Sequence, residues 1–135
     1  MTLEQAKEIF SDDRYATELT GVEIVEVGEH ESACTLAVDS RHRNARGAVM
    51  GGALYTLADF AAAVAANSAL DTQHPTLDWV SLNATVHYLS PTLGDSLEAR
   101  CTALKHGRST ALYQTVVTCN GRTVAMVETT MMRVG

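Results

Sequence analysis

The spacing of apolar residues changes period twice along the chain. At the start, Thr2 and Gln5 stand at capping-box spacing and Ala6, Ile9 and Phe10 follow at helical intervals, which predicts a short amphipathic helix. A second short helix is expected to begin at Ser11 or Asp12 and to stop before Gly21. From Val22 the period falls to two: Val22, Ile24 and Val27 mark one strand and Ala33 to Val38 a second, with His30-Glu31 as the turn between them. The run Ser40 to Gly47 is too polar for a core strand and reads as a loop. Gly51-Gly52 then opens a helix rich in alanine and leucine that runs to Asn67 or Ser68. After a loop containing His74-Pro75, alternation resumes almost to the end. Ser81 to Leu89 is a strand broken by Ser90-Pro91, Ser96 to Lys105 pairs with Thr110 to Thr118, and Arg122 to Arg133 is the last strand. Asn120-Gly121 is the strongest hairpin signal, because a type I′ turn needs positive φ at both central residues. The pattern predicts an α+β architecture, a long helix inside an antiparallel sheet of five or six strands.

That helix, Gly52 to Asn67, is apolar on nearly every side, from Leu54 and Leu57 through Phe60 to Val64, and is therefore expected to be buried. Asp59 is its only ionisable side chain apart from Tyr55. Removing an unpaired carboxylate from water costs on the order of several kcal/mol, so folding alone does not select it. Tyr55, Thr56, Asp59 and Ala63 share one ridge by i, i+3 and i+4 spacing, and the ridge is expected to face a cavity or a subunit junction. The bland alternative is a solvated strip on which Asp59 is merely tolerated. Against it, Ala62, Ala63 and Ala66 stand where an exposed face would carry Lys, Glu or Gln. Gly51 and Gly52 at the helix start leave free N–H groups and the positive end of the dipole open to a ligand. Roughly 10–12 Å of helix separates them from Asp59, too far for one copy to bring both to a single carbonyl. A second copy running antiparallel would bring them together, so a homodimer is implied.

Composition narrows the function. The 135 residues, 46% hydrophobic and 19% charged, suit a single domain spanning residues 1–135. Ten basic against sixteen acidic residues give a net charge of −6, which disfavours nucleic acid and anionic membrane as partners. The longest apolar stretch is interrupted by Asp59 and made mostly of alanine and glycine, so no membrane span is expected, and the first residues lack a basic, apolar leader. Cys34, Cys101 and Cys119 are odd in number and form no C-x-x-C pair; buried thiols in a reducing, cytoplasmic setting are the simplest reading.

The run Asn44-Ala45-Arg46-Gly47-Ala48-Val49-Met50-Gly51-Gly52, continued by Ala53-Leu54-Tyr55-Thr56-Leu57-Ala58-Asp59, resembles the signature of hotdog-fold acyl-CoA thioesterases of the phenylacetic-acid-degradation (PaaI) type. There an Asn, a Gly, a His-Gly-Gly and an Asp recur in this order and spacing. Gly21 to Val27, Val80 to Pro91 and Lys105-His106-Gly107-Arg108 extend the resemblance over nearly the whole chain from about residue 15. It implies a hotdog fold, a homodimer with a continuous sheet, commonly paired into a homotetramer, and sites at the dimer interface. Asp59 matches the catalytic carboxylate, nucleophile or general base for water, and the Gly51 N–H matches the oxyanion donor. Asn44 matches the residue that orients water or carboxylate, and Ser81 falls at the position of a hydroxyl that helps hold the water. Met50, Gly52, Tyr55 and Thr56 are the expected substrate contacts. The chain departs from the family where its His before Gly-Gly is Met50, which removes imidazole assistance at that point. The expected reaction is hydrolysis of a small or aromatic acyl-CoA. Coenzyme A enters as part of the substrate, with no separate cofactor.

Other chemistries find less support. The five histidines show no metal-ligand spacing, and His42 is expected to lie on a surface loop and His87 to be a structural strand residue. The serine-hydrolase elbow, the dinucleotide fingerprint and the Walker loop are all missing. Arg41, Arg43 and Arg46 cluster around Asn44; Lys105 and Arg108 on a later turn are the expected contacts for coenzyme phosphates, with plain solvated loop charges as the alternative. A non-catalytic acyl-CoA binding or sensor protein on the same fold is the second functional reading, motivated by Met50. Hydratase chemistry ranks last, for want of a paired Asp-His spacing.

Overall fold

A computed structural model describes residues 1–135. Helix α1 (Leu3–Ile9) starts as the spacing predicts, with the Thr2 hydroxyl accepting from Gln5 N–H and the Gln5 side chain accepting from Thr2 N–H. The expected second helix is instead two tight turns, a 3-10 turn at Phe10–Asp12 and a π-helical turn at Tyr15–Thr20. Gly21, at φ +91°, ends the latter in the left-handed region that favours glycine. Strands β1 (Val22–Gly28) and β2 (Glu31–Ala37) are joined by a turn at Glu29–His30, one residue earlier than the pattern places it. Helix α2 (Gly51–Ala66) is followed by β3 (Trp79–Tyr88), β4 (Ser96–His106), β5 (Thr110–Cys119) and β6 (Arg122–Arg133). Asn120 and Gly121 have φ of 52° and 79°, as the type I′ turn requires.

The six strands form one antiparallel sheet in the order β1-β2-β4-β5-β6-β3, which leaves β1 and β3 as its edges. One face of the sheet wraps α2. Leu57, Ala58, Ala61, Ala62, Val64 and Ala65 of the helix are fully buried against Leu97, Ala99, Tyr113, Val117 and Val127 of the sheet. The run of alanines lets the strands approach the helix closely, because each presents one methyl group where a larger side chain would hold the layers apart. Phe10 meets Phe60 edge to face at a centroid distance of 5.8 Å and so ties the N-terminal turns to α2. No helix is long and apolar enough to cross a membrane. β3 differs from the inner strands in that Val80, Leu82 and Tyr88 stand exposed along the sheet edge.

Candidate active site

The loop before α2 is built to hold the helix start in one place. Asn44 Oδ1 accepts from the N–H groups of Arg46 (2.9 Å) and Ala48 (3.2 Å), and its own N–H donates to Ala48 O at 2.7 Å. Arg43 spans the loop, donating to the carbonyls of Gly47 (3.1 Å) and Gly94 (3.1 Å). His42 is the anchor. Far from lying on the surface, it is buried, accepting at Nδ1 from Asp39 N–H (3.0 Å) and facing Thr20 O with Nε2 at 2.7 Å, while its carbonyl accepts from Met50 N–H at 2.7 Å. A histidine between two charged residues looks solvated in a linear sequence; only the packing of this loop on the turn at Thr20 buries it.

At the end of the loop, Met50 caps α2 without a side-chain hydrogen bond, and the N–H groups of Gly51 and Gly52 find no acceptor in the chain. Such orphan donors at the positive end of a helix form an oxyanion or anion site. Gly51 lines a cavity of about 690 Å³ shared with Asn44, Arg46 and the segment from Tyr88 to Leu93. Because its Oδ1 is occupied by the loop, Asn44 has only its amide N–H groups to offer there. Tyr88 lies over the helix start, donating from its hydroxyl to Gly51 O at 3.2 Å, and a Cβ at Gly51 would meet its ring at 3.0 Å. Tyr88 and Arg46 stand outside the expected catalytic and substrate contacts. The alternation of β3 gives no reason to prefer Tyr88, and Arg46 is one of three loop arginines, of which Arg41 is held by Asp39 and Arg43 by loop carbonyls.

Asp59 sits on the single ridge of α2 that the sheet leaves uncovered, with Gly52, Tyr55, Thr56 and Ala63. It is not the fully buried carboxylate that the apolar pattern suggests: in the single chain it remains open to solvent. The ridge does face a cavity, of about 490 Å³, whose other wall is Asp12 to Ala16. Enclosure by those walls raises the Asp59 pKa above the usual 3.8, Asp13 raises it further, and the Ser81 hydroxyl pulls it back by favouring the ionised form. The hydrogen bond that hydroxyl makes in the single chain is to Met131 Sδ at 3.6 Å. Ser81 reaches this place beside a bulge at Ser81/Asn83, where the register with β6 shifts. Tyr55 has its phenol raised by burial, then by Asp59 and Tyr88. Thr56 donates its hydroxyl proton to Gly52 O at 2.9 Å.

Two expected coenzyme contacts lie elsewhere. Arg108 lines a cavity of about 390 Å³ near the C-terminal end of α2 with Trp79, His106 and Arg133, and Lys105 is exposed at a bulge of β4. His87 is exposed on β3, so it supports no core. The cysteines are free and buried; Cys34 is pushed up to about 12 and Cys101 to about 11 by desolvation, which keeps both as inert thiols.

A helix wrapped by one antiparallel sheet, with orphan glycine amides at its start and a carboxylate two turns on, defines a thioesterase-like hotdog domain. The family model of the thioesterase superfamily matches residues 46–126. The acyl-coenzyme A thioesterase PaaI of Escherichia coli (strain K12) is 29% identical over 98% of this chain and 91% of its own length. The structure of a mutant of the phenylacetic acid degradation protein PaaI from Thermus thermophilus is 30% identical, with a TM-score of 0.77, covering 87% of this chain and 97% of that one. A hypothetical thioesterase of Streptococcus pneumoniae, solved with coenzyme A, is 25% identical with a TM-score of 0.80, covering 93% and 97%. The chain belongs to the thioesterase superfamily and is a hotdog-fold thioester hydrolase of the PaaI type.

Proposed function

We propose that the protein hydrolyses the thioester of a small or aromatic acyl-CoA, releasing the free acid and coenzyme A, at sites shared between two antiparallel copies. The observation that carries this reading is the division of the chemistry within one chain: the Gly51 donors open into one cavity and Asp59 into another. An antiparallel partner would supply the missing half to each. The exposed apolar residues of the β3 edge, Val80, Leu82 and Tyr88, support pairing along that edge, and an edge strand with such residues needs covering. Pairing of dimers into a homotetramer is part of the same proposal.

In this mechanism the thioester oxygen rests on the Gly51 N–H of one protomer, where the negative charge of the tetrahedral intermediate develops. Asp59 of the other, ionised, takes a proton from the attacking water as general base; its raised pKa makes it the stronger base. Ser81 holds that water, and the Asn44 amide orients it or the carboxylate. Collapse of the intermediate breaks the C–S bond and releases the coenzyme A thiolate, which takes its proton from solvent in place of the histidine that Met50 replaces, while Asp59 gives its proton back to solvent and is regenerated as the carboxylate. Tyr55, Thr56, Met50 and Gly52 line the acyl path. Arg46, already in the Gly51 cavity, joins Lys105 and Arg108 as a candidate for the coenzyme phosphates. Coenzyme A is substrate, and no other cofactor is required. With its free, buried thiols the protein fits a cytoplasmic setting, without nucleic-acid or membrane partners.

The test is thiol release by purified protein across short, long and aromatic acyl-CoAs. Turnover of at least one class, lost in Asp59→Asn, supports hydrolysis. Tight binding of acyl-CoA without release of thiol would establish the sensor reading instead.

A further inference from the structure

The wall opposite Asp59 carries a charge pattern that the hydrolytic chemistry does not use. On the α2 side the cavity is lined by Tyr55, Phe60 and Ala63, and Tyr15 is part of the other wall. This is a surface for an apolar or aromatic group. The remaining rim is acidic. Asp12 and Asp13 join Asp59 around the same space, and the one basic residue among the lining side chains, Arg14, is held away by Glu18, with contacts of 3.0 Å from Nε and 2.9 Å from its terminal nitrogen. The three carboxyls do not converge closely enough to hold a metal ion. Their charge is therefore uncompensated by the protein itself.

We propose that Asp13 is a specificity-determining residue, which makes the acyl pocket accept uncharged acyl groups and reject those that carry a carboxylate. The proposal rests on the acyl-CoA hydrolase reading and names the substrate class of that site. The backbone of Asp13 is fixed by the turn that carries it. Its N–H donates to Phe10 O at 3.1 Å, and its carbonyl accepts from the N–H groups of Ala16 (3.1 Å) and Thr17 (3.0 Å) and from the Thr17 hydroxyl (3.1 Å). Phe10 in turn is packed edge to face on Phe60, which also lines the cavity, so the turn that carries Asp13 is tied to the apolar lining. The Asp13 pKa is raised by burial first and by Asp12 second, and Asp13 raises that of Asp59. The Asp13 carboxylate is thus close enough to act on Asp59, and both line the same cavity. An acyl group lying between them with a carboxylate of its own adds a third negative charge to a partly desolvated space. A methyl, methylene or aryl terminus meets only the apolar floor, and a hydroxyl terminus can donate to the rim.

The experiment compares matched pairs of substrates, hexanoyl-CoA against adipoyl-CoA and benzoyl-CoA against 4-carboxybenzoyl-CoA, by thiol release with wild type, Asp13→Asn and Asp13→Glu. The readout is the ratio of kcat/KM within each pair, which a merely structural defect would leave unchanged. Wild type should prefer the uncharged member by at least about tenfold, Asp13→Asn should reduce that preference by about tenfold, and Asp13→Glu should restore it. Equal turnover within the pairs by wild type, or an unaltered ratio in Asp13→Asn, would overturn the proposal. Absence of thiol release from these four esters and from the whole short, long and aromatic panel refutes the hydrolase reading on its own. The charge claim then stands or falls on calorimetric binding of the same pairs, where the same ratios are expected and equal affinities would overturn it.

Discussion

Gly51 and Asp59 lie on the same i, i+4 ridge of one helix, about 12 Å apart along its axis, yet open into separate cavities. The first cavity has hydrogen-bond donors without a base, and the second has a base without donors. A helix cannot bend to join them. This separation, more than either residue alone, is what makes a second copy a chemical requirement of the proposed mechanism.

Asp59→Asn and Asp59→Ala are expected to lower kcat by about 10²–10⁴-fold if Asp59 is the general base. Stability should respond in the opposite sense. The Asp59 pKa is higher in the folded protein than in the unfolded chain, so its contribution to stability is fully present below the usual 3.8 and is lost as pH rises through the folded value. Thermal melting at pH 7 should therefore show Asp59→Asn at least as stable as wild type, with wild type regaining ground as the buffer is acidified through the carboxylate range. A variant that lost both activity and melting temperature at pH 7 would show Asp59 to be structural.

The acid limb of the rate–pH profile should follow the neighbours of Asp59. Activity falls as pH drops through the Asp59 pKa, because the protonated acid cannot accept the proton of water. Ser81 lowers that pKa and Asp13 raises it. Ser81→Ala should accordingly move the acid limb to higher pH, and Asp13→Asn should move it to lower pH. Arg14 faces the same cavity but is paired with Glu18, so its removal should shift the limb least. Coincident acid limbs in wild type and both neighbouring variants would mean that the titrating group is not Asp59.

Two glycines at the helix start should separate fold from function. A Cβ at Gly52 meets nothing within 4 Å, so Gly52→Ala should leave stability unchanged or raise it by up to about 1 kcal/mol while crowding the substrate. Gly51 is the first helical residue, and Met50 before it has φ −61° and ψ 141°, a conformation that a following proline accepts. Gly51→Pro should therefore fold, with the exposed Tyr88 ring giving way, and should lose about 10²–10³-fold in kcat through the missing N–H. Urea unfolding and thiol release on the same preparations check both expectations.

His42 should prove to be a structural anchor with a functional effect. Removing a buried imidazole bonded at both nitrogens leaves Asp39 N–H and Thr20 O without partners, so His42→Ala is expected to cost about 2–4 kcal/mol. Its loop positions Asn44 and the Gly51 donors, and kcat should fall along with stability. Chemical denaturation and thiol release measure the two losses.

Much of this arrangement is legible in the chain. The capping box at Thr2, the Asn120-Gly121 turn and the span of α2 follow from local chemistry, which needs no neighbour to be read. The lone Asp59 on an apolar helix likewise marks its ridge, because no packing preference would place it there. What could not be read depends on contacts between distant segments. Tyr88 is one aromatic in an alternating strand until β3 lies over the helix start. Asp13 belongs to a polar turn until Phe10 packs on Phe60. His42 reads as exposed until its loop folds onto Thr20. The degree of enclosure of Asp59 is a property of the cavity wall, which the helical period does not contain.

The shared site is tested most directly by complementation. Asp59→Asn and Gly51→Pro each inactivate one half of it, and a heterodimer of the two contains one site with both halves intact. Equimolar co-expression with random pairing should restore about one quarter of the wild-type thiol-release rate, since half of the dimers are mixed and each has one working site of two. Recovery of that activity from two inactive parents is the result the account predicts; mixed dimers, verified by differential tags, that remain as inactive as their parents would contradict it.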